Sequence, residues 1–563
     1  MFSANSFAIG HEKQFFITFD EYLKNYYFLY HPTWATQCGK HEYDDQLEDY
    51  SRKNIEKQVL VLKSFEKKFS SFSPSSVNAF VQGDRTLVLN DIHSALLTIQ
   101  RLRYWQKDPG MYVRSVTESI YVLIERHFSS EENRLRSLIE REKKIPVVLY
   151  EARHNLVNPP RIYTDLALQQ LSDTIKFFER DVPHAFTHIA DPDLQRAFSA
   201  SQNAVIQALL DYQEWIKNNL VSRSQGDFRI GRENFIKKLA YDEMVDTPLN
   251  ELLAMNLLNM HANQAEFSAI AQKLYPGKTL EQVLVLIKQD HPPANQLLLE
   301  FKHRFEDLRT FIKNKNIIFI PSERDPVMRE TPPFLRSITF ASMNVPGPFE
   351  QVATESYFNV TLPEASWSRA RVESFMGEFN YPSINSIAIH EAYPGHYVQF
   401  LWVKRIKDPV RRLLGAASNT EGWAHYCEQM MLDEGLHGKT ERETALYRLG
   451  ELLNALLRNA RFAVSIQMHA GQMTFDEAVH YFMQEGYLSK EAAIMESKRG
   501  TLDPTYLYYT LGKLQILKLR EDLLKKEGSA FQLKKFHDDF MQQGYPPIKI
   551  VRNALLNDNS PTL

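Results

Sequence analysis

Between residues 441 and 470, leucines at 446, 449, 453, 456 and 457 recur at helical spacing, with polar residues between them. That spacing lines one face of a 3.6-residue helix and predicts an amphipathic helix along the segment. Residues 87–127, 164–181 and 205–220 also suit amphipathic helices. Polar positions mark two helix starts. Thr279 with Gln282 in TLEQVLVLI, and Thr474 with Glu477 in TFDEAV, have the spacing of a capping box. The pattern changes over 317–364. IIFIPS, SITFASM and SYFNVTLPE are short runs rich in Ile, Phe, Val and Thr, punctuated by prolines at 321, 326, 332, 333, 346, 348 and 363. They predict a small sheet. The last of them offers a strand edge to an extended peptide, or is a small structural hairpin. The expected fold is mainly α, large and two-lobed. A helical lobe spans 1–316, and a second lobe over 317–563 opens with the sheet. No internal repeat or low-complexity tract interrupts it.

Composition narrows the function classes. The chain has 563 residues, 44% hydrophobic and 24% charged, enough for a large core. A net charge of −3 and a pI of about 6.7 do not suggest a nucleic-acid partner. Two cysteines, Cys38 and Cys427, cannot build a thiolate metal cluster. The opening MFSANSFAIGHEKQFF lacks the features of a secretory signal, and no run of about 18 apolar residues exists to span a membrane. A cytoplasmic location is the expectation.

Candidate chemistry centres on IAIHEAYPGHYVQF, residues 387–400. His390 and Glu391 are adjacent, and His396 follows six residues after His390. On an unbroken helix, at about 100° per residue, positions six apart point away from each other. Pro394 cannot donate a backbone hydrogen bond, and Gly395 permits unusual backbone angles. A helix bulge at Pro-Gly would return His396 to the face of His390. A hydrolytic zinc usually takes three protein ligands and leaves one position for water. SNTEGWAHYCEQMM supplies a candidate third ligand in Glu421, 25 residues after His396. Ser418 or Thr420 would cap its helix. Glu428, seven residues further on the same face, would orient a ligand histidine. Trp423, Tyr426 and Met430 read as core. The bland alternative is a helix end that happens to hold two polar histidines.

HEAYPGHYVQ followed by EGWAHYCE resembles the bacterial family catalogued as domain of unknown function 885, inferred zinc peptidases. WATQCGKHEYDDQLEDYS and DPTYLYYTLGKLQILKLR look like that family's opening and closing segments. The resemblance implies a mainly helical fold similar to the thimet-oligopeptidase and carboxypeptidase Taq group of gluzincins. There the third ligand is a glutamate about 25 residues after the second histidine, which favours Glu421. The departure is the spacing, since that group has His-Glu-x-x-His and this chain has HExxPGH. The resemblance also places a tyrosine at Tyr509, with Tyr506 and Tyr508 as alternatives, to stabilise an oxyanion.

The implied chemistry is peptide hydrolysis. His390, His396 and Glu421 would hold Zn²⁺, and Glu391 would act as general base. Lys498 and Arg499 would hold a peptide's terminal carboxylate, or form a solvated face. The substrate would be a peptide, with neither nucleic acid nor membrane as partner. Two other readings stand beside this one: a zinc amide hydrolase with a non-peptide substrate, and a non-catalytic helical scaffold that binds peptides. HEYDDQLEDY, with His41, Asp44, Asp45, Glu48 and Asp49, lacks the glycine and spacing of a calcium loop and reads as a solvated or capping segment. His469 is expected at a helix end, where its charge would suit the dipole. No serine-hydrolase elbow or phosphate-binding loop occurs.

Overall fold

The computed structural model describes residues 2–73, 77–332, 336 and 340–563, the side chains of 2–9 excepted. It is 71% helical with one three-stranded sheet, as the hydrophobic periodicity predicts. The predicted leucine-lined helix runs Glu441–Ala470, and both capping boxes form, at Thr279 and Thr474. No described helix is long and apolar enough to cross a membrane.

The chain divides into two compact units. One comprises 1–230 with 346–354, and the other 231–345 with 355–563. The division therefore falls earlier than the 316/317 boundary expected from sequence. The reason is the helix Leu297–Lys315, whose buried Leu297, Phe301, Phe305, Leu308 and Ile312 belong to the same core as Ile384, Ile389 and Trp423. Those residues come out of water only against the helices that follow.

In the first unit, the acidic HEYDDQLEDY segment is tied down rather than solvated. His41 lies 3.1 Å from Asp44 and 3.0 Å from Glu350, and stacks on Phe128. Glu48 accepts hydrogen bonds from the amide and hydroxyl of Thr33.

In the second unit, β1 (Val327–Glu330), β3 (Tyr357–Val360) and β2 (Ala341–Asn344) lie side by side in that order. β1 is parallel to β3, and β2 is antiparallel to it. IIFIPS forms no strand; Ile317, Ile318 and Ile320 instead point into the core. Of SITFASM, Ser337–Thr339 lie outside the described residues and Ala341–Met343 form most of β2. SYFNVTLPE supplies β3, which is paired on both sides, so it cannot receive a peptide. β1 and β2 hold the edges instead.

The helix Ala417–Asp433 and the helix Tyr508–Glu527 cross at two glycines. A Cβ on Gly422 would lie 2.4 Å from the Gly512 Cα, and one on Gly512 would lie 1.8 Å from the Ser418 carbonyl oxygen. Only hydrogen side chains let these backbones approach so closely. This contact fixes the start of the second helix beside the first turns of the first. Gly512→Ala should therefore destabilise the protein by about 1–3 kcal/mol. Chemical denaturation would show it as a lowered midpoint with an unchanged slope; an unchanged midpoint would mean the crossing is not tight.

Candidate metal centre

His390 ends the helix Tyr381–Glu391, whose N-cap Asn380 accepts from the Ser383 amide. The expected bulge within a continuous helix is not what forms. The helix stops at Glu391, residues 392–395 turn, and a new helix starts at His396 and runs to Val403. The Tyr393–Pro394 peptide bond is cis. The Gly395 amide reaches back to the Ile389 carbonyl at 3.0 Å. Gly395 is needed for closeness, not for a positive φ: its φ is −67°, but a Cβ there would lie 1.8 Å from the His390 carbonyl oxygen. Trp423 is buried as expected and also donates to the Pro394 carbonyl at 2.9 Å, pinning the turn to the Glu421 helix.

The turn achieves what the sequence spacing alone forbids. The rings of His390 and His396 meet edge to face, 4.7 Å between centroids. Glu421 Oε2 lies 3.3 Å from His390 Nε2 and 3.4 Å from His396 Nε2. Yet this buried oxygen has no hydrogen bond among the described residues. Ligands about 2.0–2.1 Å from a tetrahedral zinc sit about 3.3 Å from one another. Both nitrogen–oxygen distances match the separation of two ligands on one such ion. Glu391 also offers an oxygen near the two imidazoles, the three donor atoms lying within 4.8 Å of one another. Its Oε2, however, accepts the Met343 amide of β2 at 3.0 Å. The carboxylate that lies nearly equidistant from both nitrogens is Glu421.

Glu428 stands behind His390. It is fully buried and lies 2.7 Å from His390 Nδ1 through one oxygen. Its other oxygen accepts the Ser386 hydroxyl at 2.5 Å, and Arg458 pairs with the first, the one facing His390, at 3.0 Å. A carboxylate accepting the Nδ1 proton leaves Nε2 with its lone pair, the tautomer a metal requires. Ser386 sits one helical turn before His390, so its presence on that face could have been read from the sequence. Arg458 arrives from the helix Glu441–Ala470, and no local signal announces it.

The electrostatics favour positive charge at this centre. Burial works against a charged His390, but the adjoining carboxylates of Glu421 and Glu428 push its pKa up to about 9. Burial would raise Glu421, but His396 and His390 hold it well below the usual carboxylate range. Burial raises Glu391, partly offset by His396. His425, one turn beyond Glu421, is held well below the usual range by burial and by Lys513.

Neither Ser418 nor Thr420 caps the Glu421 helix. Its N-cap is Ala416, and the Ser418 amide is taken by the buried carboxylate of Glu243 at 3.0 Å. Burial pushes Glu243 up to about 7 despite that hydrogen bond. His469 stands in the last turn of the helix Glu441–Ala470, as expected, and is buried there, its Nε2 2.7 Å from the Gly500 carbonyl.

Tyr509 joins the centre from the helix Tyr508–Glu527. Its ring lies roughly parallel to that of His390, 6.4 Å away, and its hydroxyl accepts from Arg499 at 3.0 Å. Tyr508 donates to Asp503, and Tyr506 is fully buried against Gly500, so Tyr509 is the tyrosine turned to His390. Lys498 enters the described contacts through its carbonyl, which accepts from Thr501.

A model of the family described as bacterial protein of unknown function, DUF885, matches residues 32–555. No curated protein matches. Two solved structures share the fold along nearly the whole chain, each described as a "putative lipoprotein". The one from Shewanella oneidensis, of unknown function, is 26% identical, with a TM-score of 0.80 over 98% of this chain and 99% of that one. The one from Colwellia psychrerythraea is 15% identical, with a TM-score of 0.78 over 98% of each chain.

Two substitutions test the geometry without touching His390, His396 or Glu421. Glu428→Gln should weaken Zn²⁺ binding roughly 10- to 100-fold. Gly395→Ala should leave a folded protein whose Zn²⁺ binding is also weakened, because the added methyl pushes His396 away from His390. Titration with a competing chelator measures both; wild-type affinity in either variant would remove that residue from the site's support.

Proposed function

The chain belongs to this family of bacterial proteins of unknown function, and we propose that it is a zinc-dependent metallopeptidase acting on short peptides. The observation that carries the proposal is the Glu421 oxygen buried between two imidazole nitrogens without a hydrogen bond. Two imidazoles and one carboxylate form the donor set of hydrolytic zinc, with a position left for water. Bound there, Zn²⁺ would act as a Lewis acid on a substrate carbonyl and lower the pKa of water.

The protein's own residues supply the rest. The Met343 amide holds Glu391 Oε2, which leaves Oε1 to take the proton from the attacking water. Glu391 then returns that proton to the leaving amine. Tyr509 accepts from Arg499, so its own hydroxyl hydrogen is available to the oxyanion that develops on the substrate. Glu428 keeps His390 oriented throughout. The edge strand β2 lies beside Glu391, the position from which strand addition would lay an extended peptide across the base. That edge supports a peptide as the substrate.

Elemental analysis of the purified protein, with a peptide-mixture digest before and after chelation, tests the reading. One zinc per chain and chelator-sensitive cleavage are expected. Glu391→Gln should retain zinc and lose about 10²–10⁴-fold in turnover, since its role is proton transfer. Glu421→Gln should lose zinc itself. Full zinc occupancy in Glu421→Gln, or normal turnover in Glu391→Gln, would refute the assigned role.

A further inference from the structure

Three guanidinium groups surround the Tyr509 ring, those of Arg458, Arg461 and Arg499, at 5.5, 5.0 and 5.7 Å from its centre. Two are committed. Arg458 pairs with Glu428, and Arg461 makes a bidentate pair with Glu496 at 2.7 and 2.8 Å. Arg499 differs. Its described hydrogen bonds go to two neutral phenols, Tyr509 at 3.0 Å and Tyr508 at 3.4 Å, both from Nη2. Its carboxylate neighbour Asp503 is 3.8 Å away and already accepts the Tyr508 hydroxyl. Its side chain is 39% exposed, against 10% for Arg458 and 9% for Arg461.

A guanidinium has five donors in a planar fork that matches a carboxylate. Arg499 therefore keeps donors for an incoming anion, directly beside the Tyr509 hydroxyl that would face the reacting carbonyl. The carboxylate of a C-terminal residue lies about one residue repeat, roughly 3.3–3.6 Å, beyond the carbonyl before it, so a cation that touches the Tyr509 hydroxyl is placed to meet it.

On the reading of the centre as a zinc peptidase, we propose that Arg499 binds the free α-carboxylate of the peptide's last residue, making the protein a carboxypeptidase that releases one amino acid at a time. Hydrolysis adds the elements of water across the last peptide bond. The hydroxyl goes to the carbonyl carbon and the proton, carried by Glu391, to the departing amine. Arg499 holds the departing residue's carboxylate and takes no part in the bond change.

The test compares one peptide series with a free C-terminus and with a C-terminal amide. Zinc-loaded protein should cleave the acid form at least roughly 10- to 100-fold more efficiently, the range expected for losing a hydrogen-bonded charge. The product should be a free amino acid by mass spectrometry. The Glu391→Gln protein, titrated calorimetrically, should bind the acid peptide and discriminate against the amide. Arg499→Gln should abolish the discrimination in both assays while leaving zinc content unchanged. Equal cleavage or equal binding of acid and amide, or internal cleavage products, would overturn the proposal. If neither form is cleaved but the acid form alone binds, the peptidase reading fails and the Arg499 assignment stands. If Arg499→Gln does not fold, the wild-type comparison still decides.

Discussion

The carboxylate of Glu428 is the point on which the centre depends. It is buried, so its charge must be matched inside the protein, and three groups from two other helices do so: Ser386, His390 and Arg458. A buried charge is tolerated only when it is paired and hydrogen-bonded on all sides. Satisfying Glu428 therefore forces the helices of His390, Glu421 and Arg458 into one arrangement. Everything that faces the centre inherits its position from that requirement. His390 presents Nε2 because Nδ1 is taken, and Glu421 lies two turns before Glu428 on the same helix.

A second constraint acts through backbone contact. Glycine allows three close approaches that a methyl group would block. Gly395 folds the turn onto the His390 carbonyl, and Gly422 and Gly512 bring two helices together at Ser418. The first sets the distance between the histidines, and the second delivers Tyr509 to the same place. The polar network orients side chains, and the glycines set how near their backbones stand.

Much of the fold is legible in the residue pattern. Helical periodicity predicts the helix 441–470, and side-chain spacing predicts both capping boxes. These are local properties, fixed by residues three and four apart. The spacing of HEAYPGH points to a break at Pro-Gly, and the protein has one, although as a helix end and restart rather than a bulge. Strands are less legible. IIFIPS is apolar because it is buried beside helices, and burial alone does not distinguish it from a strand.

The sequence by itself determined the helical character of the chain, the starts of its capped helices, and the residue types from which a centre could be built. It did so because propensity, capping and periodicity act over a few residues. Only the tertiary structure decided which of those residues meet. Glu243 displaces Ser418 and Thr420 as the cap of the Glu421 helix from 175 positions away in the chain, and Arg458 reaches Glu428 from 30 positions away. The structure also put β3 in the middle of the sheet with β1 and β2 at its edges, and set the described carboxylate nearest Arg499, Asp503, 3.8 Å away, farther than the partners of Arg458 and Arg461. Such outcomes depend on burying charge and apolar surface against segments distant in the chain. That is a property of the packed whole, and no window of sequence contains it.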